Sequence, residues 1–140
     1  METTLIEDND LYLDLKENLM RGTTGSRVPS FGVVGKPGTG KVESMLAVAK
    51  TTGHEVIYIS AAHGDRTNFV SGVWLQPTAK IVIIDEIDRA SAEYLDMITS
   101  LIMTSMVSGV PVSGLIAVWV VGESIPSELD GVCNDIGEYL

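Results

Sequence analysis

Residues 31–42 read Phe-Gly-Val-Val-Gly-Lys-Pro-Gly-Thr-Gly-Lys-Val. A short apolar run, Phe31 to Val34, enters a turn with glycine at 35, 38 and 40 and leaves it at Lys41. The pattern G-x-x-x-x-G-K-[ST] is met by Gly35, Gly40 and Lys41, with Gly38 as an extra glycine, and fails only at Val42. Backbone N–H groups converge on phosphate oxygens only where side chains leave the approach open, which favours glycine. The helix that follows adds its own unpaired N-terminal N–H groups. Lys36, Pro37 and Thr39 complete the expected phosphate-binding loop, and Lys41 is placed to reach the β- and γ-phosphates. At the next position a Ser or Thr hydroxyl normally ligates Mg²⁺. Val42 keeps its backbone N–H and supplies no ligand, so phosphate binding is expected to survive better than metal-assisted hydrolysis.

Chance would produce G-x-x-x-x-G-K in a chain of this length with a probability of roughly a few per cent. The motif gains weight from a second one, Ile81-Val82-Ile83-Ile84-Asp85-Glu86. Four β-branched residues in a row indicate a strand buried on both faces, as in a parallel sheet, with two acids at its carboxyl end. Ligands of open α/β sheets bind outside the carboxyl ends of the strands. Asp85 is therefore the expected Mg²⁺ residue, directly or through water, and Glu86 the residue that polarises the attacking water. Taken alone, the pair reads equally well as surface acids closing a strand.

The 140 residues are one domain by length, and 45% hydrophobic with 20% charged is an ordinary globular composition. Nine basic residues against nineteen acidic ones give a net charge of −10. Without a basic run, direct nucleic-acid binding is disfavoured. The longest apolar runs, such as Leu115 to Val121, are too short to span a bilayer. The acidic start lacks the basic and apolar regions of a signal peptide, so a cytoplasmic location is expected. The single cysteine, Cys133, cannot form an internal disulfide and reads as a free thiol.

Residues 2–20 carry six acids and one lysine. Leu11, Leu15 and Leu19 share a helical face, while Leu11, Leu13 and Leu15 also alternate as in a strand; the helix, ending near Arg21-Gly22, is preferred. Gly22 to Ser30 is expected as a loop. Lys41 to Thr52 fits a helix stopped by Gly53, with Met45, Leu46, Val48 and Ala49 available to pack. Glu55 to Ser60 reads as a strand. In the ambiguous stretch 61–76, His63 lies just past that strand, although a lone histidine is more often simply exposed; His54 carries less weight still. Ser91 is the expected N-cap of a helix through Ser108, closed by Gly109, with Leu95, Ile98, Leu101, Ile102 and Met106 on its buried stripe and Met97 and Met103 as core filler. Residues 109–114 read as a tight connecting loop and Leu115 to Gly122 as a central strand. The alternation predicts an α/β fold, a parallel sheet of about four strands flanked by helices with right-handed crossovers, and leaves little room for a fifth strand. The expected division is an acidic N-terminal helix at 1–22 and a core at 23–140.

With these residues in view, the chain resembles the P-loop ATPases of the AAA+ superfamily, and within them the MoxR group. The resemblance rests on Gly-Lys-Pro-Gly-Thr-Gly-Lys at 35–41, Asp-Glu-Ile-Asp-Arg-Ala at 85–90 and Gly-Glu-Ser-Ile-Pro-Ser-Glu-Leu-Asp at 122–130. The first two correspond to the Walker A and Walker B motifs. The third, aligned on Pro126 and Leu129-Asp130, puts Ser124 at the family's polar sensor position, with Glu123 just before it. The resemblance implies ATP or ADP with Mg²⁺, and assembly with other copies or with an AAA+ partner protein. It also implies a helical lid with a further arginine, and an arginine finger after the sensor stretch. In this sequence the last basic residue is Arg89, whose ordinary role would be to pair with Asp85, Asp88 or a neighbouring acid. A finger is worth several orders of magnitude in rate. A minimal core with weak or partner-dependent hydrolysis is therefore expected. The alternative is a hydrolysis-deficient protein that docks on a full-length AAA+ partner and regulates or inhibits it.

Overall fold

A computed structural model describes residues 10–21, 27–36, 38, 40–62, 77–107, 109–133 and 135–139. In chain order the elements are α1 (Asp10–Met20), β1 (Phe31–Val34), α2 (Lys41–Thr52), β2 (Glu55–Ser60), β3 (Lys80–Asp85), a 3₁₀ turn (Ile87–Arg89), α3 (Ala92–Thr104), β4 (Met106–Val107), β5 (Val110–Pro111), β6 (Leu115–Gly122), a second 3₁₀ turn (Ser127–Leu129) and β7 (Asp135–Glu138). Five strands form one sheet in the order β2-β3-β6-β1-β7, and every neighbouring pair is parallel.

The uninterrupted apolar runs of β3 and β6 follow from burial on both faces. Ala117, Trp119 and Val121 of β6 join Ile81 and Ile83 of β3 in the core beneath α1 and α2. Val118 and Val120 join Val82 and Ile84 in the core beneath α3. The period-2 alternation of a strand thus feeds two separate hydrophobic layers from one continuous run. β6, expected as the central strand, occupies the middle of the five.

Several boundaries depart from the sequence expectation. The sheet gains a fifth strand, β7, which pairs with the far side of β1 from Phe31↔Asp135 to Val34↔Glu138. Its residues, Asp-Ile-Gly-Glu, carry one apolar side chain, and that one is half exposed, so burial left little pattern to read. α3 begins as expected, the Ser91 hydroxyl accepting the Tyr94 N–H at 3.1 Å, but it stops at Thr104 rather than Ser108. Ser105 turns left-handed at φ 58°, its N–H bonded to the Leu101 carbonyl. Arg27 also donates to the carbonyls of Leu101 and Ile102 and to the Ser105 hydroxyl, capping the negative end of the helix. Met106 consequently lies in β4, and β4 and β5 pair antiparallel where a simple loop was expected. Met103 and Leu46, both expected to pack, are exposed at 67% and 42%.

α1 resolves the ambiguity of its leucines. Leu11 and Leu15 are buried while Leu13 is 53% exposed, as helical spacing requires and strand alternation does not. One polar side chain fixes it to the sheet. Asn18, 1% exposed, accepts the Trp119 indole N–H at 2.9 Å and donates to the Pro29 carbonyl at 2.8 Å. Cys133 is free and buried, and burial, with the nearby charge of Asp130, pushes its thiol up to about 11.

Asn18→Ala would leave both the buried indole N–H and the Pro29 carbonyl without a partner. Each orphaned group costs about 1–3 kcal/mol. Denaturant unfolding should show a loss of about 2–4 kcal/mol with the slope unchanged, and a loss below about 0.5 kcal/mol would contradict this anchoring role.

Candidate functional site

The register of the central strands brings the two motifs together. Val34 pairs with Gly122 across β1 and β6, and Ile84 pairs with Val120 across β3 and β6. Counting on along the strands sets Asp85 level with Val121 and Val33. Because β6 stands between β1 and β3, the glycine loop and the acids lie two interstrand spacings apart, about 10 Å. The gap is open rather than packed. One cavity at this edge is lined by Gly35, Lys41, Asp85 and Glu86, with Asp88 and Arg89 from the 3₁₀ turn and the Val121 to Glu123 end of β6.

The loop has the conformation that its glycines allow. Gly38 and Gly40 have φ of 78° and 81°, values that side-chain-bearing residues rarely adopt. Gly40 precedes α2 and offers its first turn no side-chain cap. At Gly35 the constraint is space. A Cβ there would stand 2.3 Å from the Tyr139 carbonyl oxygen and 3.4 Å from Lys41 Nζ. Lys41 is buried at 8% exposure, and its ammonium donates to the Lys36 carbonyl of the same loop. Pro37 and Thr39 lie outside the described residues, as does His63. His54 is partly buried at the C-terminal end of α2, where its ring Nδ1 shares a 2.7 Å hydrogen bond with Thr52.

Across the gap, Asp85 Oδ1 accepts the Glu86 N–H at 2.8 Å and Oδ2 accepts the Tyr58 hydroxyl at 2.6 Å. Glu86 itself is left-handed, φ 55° and ψ 41°, a conformation that costs a non-glycine residue on the order of 1–3 kcal/mol. Its Oε2 is buried with no hydrogen-bond partner. Asp88 Oδ1 accepts the Glu123 N–H at 3.1 Å. Gly122 leaves room for this, since a Cβ there would lie 2.4 Å from that same oxygen.

Three expected participants stand apart. Val42 and Ser124 are not among the residues lining the cavity, whereas Glu123 is. Arg89 lines the cavity but is exposed; its backbone N–H bonds to the Glu86 carbonyl, and among the described residues its guanidinium forms neither a hydrogen bond nor an ion pair, contrary to the expected pairing with a neighbouring acid. Sequence reasoning also missed Tyr58. Its only signal was strand alternation: Tyr58 pairs with Ile83, two residues before Asp85, which puts the phenol and the carboxylate on the same face as diagonal neighbours.

Whether these residues suit a divalent cation can be judged from their chemistry. Mg²⁺ is commonly held by one or two carboxylates together with substrate phosphates and water. The buried, unpartnered Glu86 oxygen and the adjacent Asp85 carboxylate, sharing their cavity with Lys41, meet that description. Among the described residues no three His, Cys, Asp or Glu side chains converge as a self-sufficient metal cluster.

Residues 31–110 match the model of the AAA family, ATPase family associated with various cellular activities. The match covers more than half of the sequence, and the chain belongs to that family. Lon protease of Mesomycoplasma hyopneumoniae (strain 232) is 30% identical over 104 residues, which are 62% of this chain and 12% of the protease. Among solved structures, the RuvB Holliday junction branch migration motor of Thermotoga maritima superposes with a TM-score of 0.69 at 20% identity, covering 92% of this chain and 42% of that one. A variant of the same RuvB gives 0.71 at 20% identity, with coverages of 99% and 47%. At such identity the likeness is one of fold. The chain spans less than half the length of each of these relatives. No helix among the described residues is long and apolar enough to cross a membrane.

Desolvation, then the hydrogen bond and charge of Asp85, then the charge of Glu86, push the Tyr58 phenol from 10.0 up to about 12. The unfolded phenol therefore ionises first as pH rises. The stability that Tyr58 contributes is whole below about pH 10 and is lost progressively as pH climbs through about 12. Unfolding free energies measured across that range should fall more steeply for the native chain than for Tyr58→Phe; parallel curves would show that the phenol is not held by Asp85.

Proposed function

We propose that this chain binds ATP or ADP with Mg²⁺ in the cavity between the glycine loop and the acid pair. The observation that carries the reading is that Lys41 and Asp85-Glu86, 44 residues apart in sequence, line the same cavity as Gly35. In this reading the loop from Gly35 to Val42 cradles the phosphates through the N–H groups of Lys36, Gly38, Thr39, Gly40, Lys41 and Val42, while Pro37 has no N–H to give and the Gly35 N–H is held by the Gly122 carbonyl. The Lys41 ammonium exchanges the Lys36 carbonyl for a phosphate oxygen. Asp85 holds the metal, which when bound neutralises charge on the phosphate oxygens. Glu86 takes a hydrogen bond from the attacking water at its carboxylate, and Ser124 is the proposed sensor hydroxyl.

Within the family, the motifs at 85–90 and 122–130 favour a MoxR-like core that works in the cytoplasm, as a homo-oligomer or beside an AAA+ partner protein. The division into an acidic helix, 1–22, and a core, 23–140, is proposed on the same footing. Hydrolysis is proposed to be slow or partner-dependent, because Val42 supplies no hydroxyl. The same feature favours the second reading, a hydrolysis-deficient chain that docks on and regulates an AAA+ partner.

Binding and turnover are separable by experiment. At a nucleotide concentration of about 100 times Kd, ADP or ATP should stabilise the protein by about 2.7 kcal/mol, several degrees in Tm, and Lys41→Ala should abolish most of that shift. No shift with any nucleotide would remove the binding reading altogether. For turnover, Val42→Thr should raise phosphate release by about tenfold, equivalent to about 1.4 kcal/mol of barrier. If the native chain already turns over rapidly and Val42→Thr changes nothing, the missing hydroxyl is not what limits it. Silence from both proteins, with nucleotide still bound, favours the docking reading.

A further inference from the structure

Tyr58 is 48% exposed on the edge strand β2, where a large side chain adds little to the core. Its hydroxyl is nonetheless committed, donating to Asp85 Oδ2 at 2.6 Å. The other oxygen of that carboxylate accepts the Glu86 N–H at 2.8 Å. Two donors on two oxygens fix the plane of the carboxylate, which a lone aspartate at a strand end would be free to rotate. The donor at Oδ1 comes from a residue in the left-handed conformation, so that half of the arrangement is set by backbone. Among the described residues, Tyr58 alone supplies the donor at Oδ2.

We propose that Tyr58 is a positioning residue for metal-assisted nucleotide binding, orienting Asp85 from the neighbouring strand without itself touching nucleotide. This rests on the nucleotide-site reading above and deepens it. With Val42 in place of a hydroxyl residue, this chain has one metal-directed side chain fewer, and the orientation of Asp85 carries correspondingly more of the affinity. Groups that hydrogen-bond metal-ligating side chains typically change metal affinity by about 10–100-fold when removed. A phenol reaching across from an edge strand is such a group, and phenylalanine keeps its ring while deleting the donor.

The test compares the native chain with Tyr58→Phe and Asp85→Asn, using calorimetric ATP affinity in excess EDTA and at stepped Mg²⁺. Depletion of the free Mn²⁺ resonance in the presence of ADP provides a readout independent of turnover. Tyr58→Phe should leave metal-free ATP affinity within about twofold and raise the Mg²⁺ or Mn²⁺ needed for half-maximal effect by about tenfold. Asp85→Asn should remove the metal effect whether or not Tyr58 is present. A purely structural role for the ring predicts that Tyr58→Phe leaves the metal dependence unmoved. If the native chain shows Mg²⁺-tightened binding and Tyr58→Phe matches it, this inference is overturned while the nucleotide site stands. If the native chain binds no nucleotide in either condition, both fall together.

Discussion

The insertion of β6 between β1 and β3 is the constraint from which the rest of the site follows. Were β1 and β3 direct neighbours, the glycine loop and the acid pair would stand one interstrand spacing apart, about 5 Å, with no room for a phosphate chain between them. With β6 interposed, the gap doubles and its floor is the carboxyl end of that strand. This explains why Gly122 has to be glycine: Asp88 and the 3₁₀ turn fold over the end of β6, and a side chain there would collide with the Asp88 carboxylate. It also explains the apolar character of β6 throughout, since the middle strand of a sheet covered on both faces has no solvent side.

Around this frame the termini of the described region converge on the loop. β7 extends the sheet beyond β1 and brings the Tyr139 carbonyl against Gly35, while the Tyr139 hydroxyl donates to Asp14 of α1 at 2.5 Å. Arg21, just past α1, pairs with Asp135 of β7 at the surface, a contact worth less than about 1 kcal/mol in solvent. The buried Asn18–Trp119 hydrogen bond fixes the same helix to β6. Gly35 is thus backed by a strand and a helix that are themselves joined, and on its other side it lines the cavity shared with Lys41, Asp85 and Glu86.

Much of this was legible in the chain because burial writes a period into sequence. The β3 and β6 runs, the α2 stop at Gly53 and the Ser91 cap were each readable from one or two residues with a local physical reason. The loop and acid motifs were readable because their chemistry restricts residue type. What escaped notice was set by tertiary contact. β7 carries a single apolar side chain, the left-handed end of α3 at Ser105 is capped by Arg27 from a distant stretch of chain, and Tyr58 acquires its role only when β2 is laid beside β3. Arg89 was expected to find an acid among its neighbours. The 3₁₀ turn instead commits Asp88 to the Glu123 amide, and Asp85 is already held by two other donors.

The central claim is that the loop before Lys41 and the pair Asp85-Glu86 are the two walls of a single polyphosphate site. A crystal structure of the full chain grown with ADP and Mg²⁺ tests it most directly. The account predicts the β-phosphate on the amides of residues 38–42, Lys41 Nζ moved from the Lys36 carbonyl onto a phosphate oxygen, and the metal on the Asp85 side. Nucleotide bound elsewhere, or a loop still closed on its own lysine at full ligand occupancy, would contradict it.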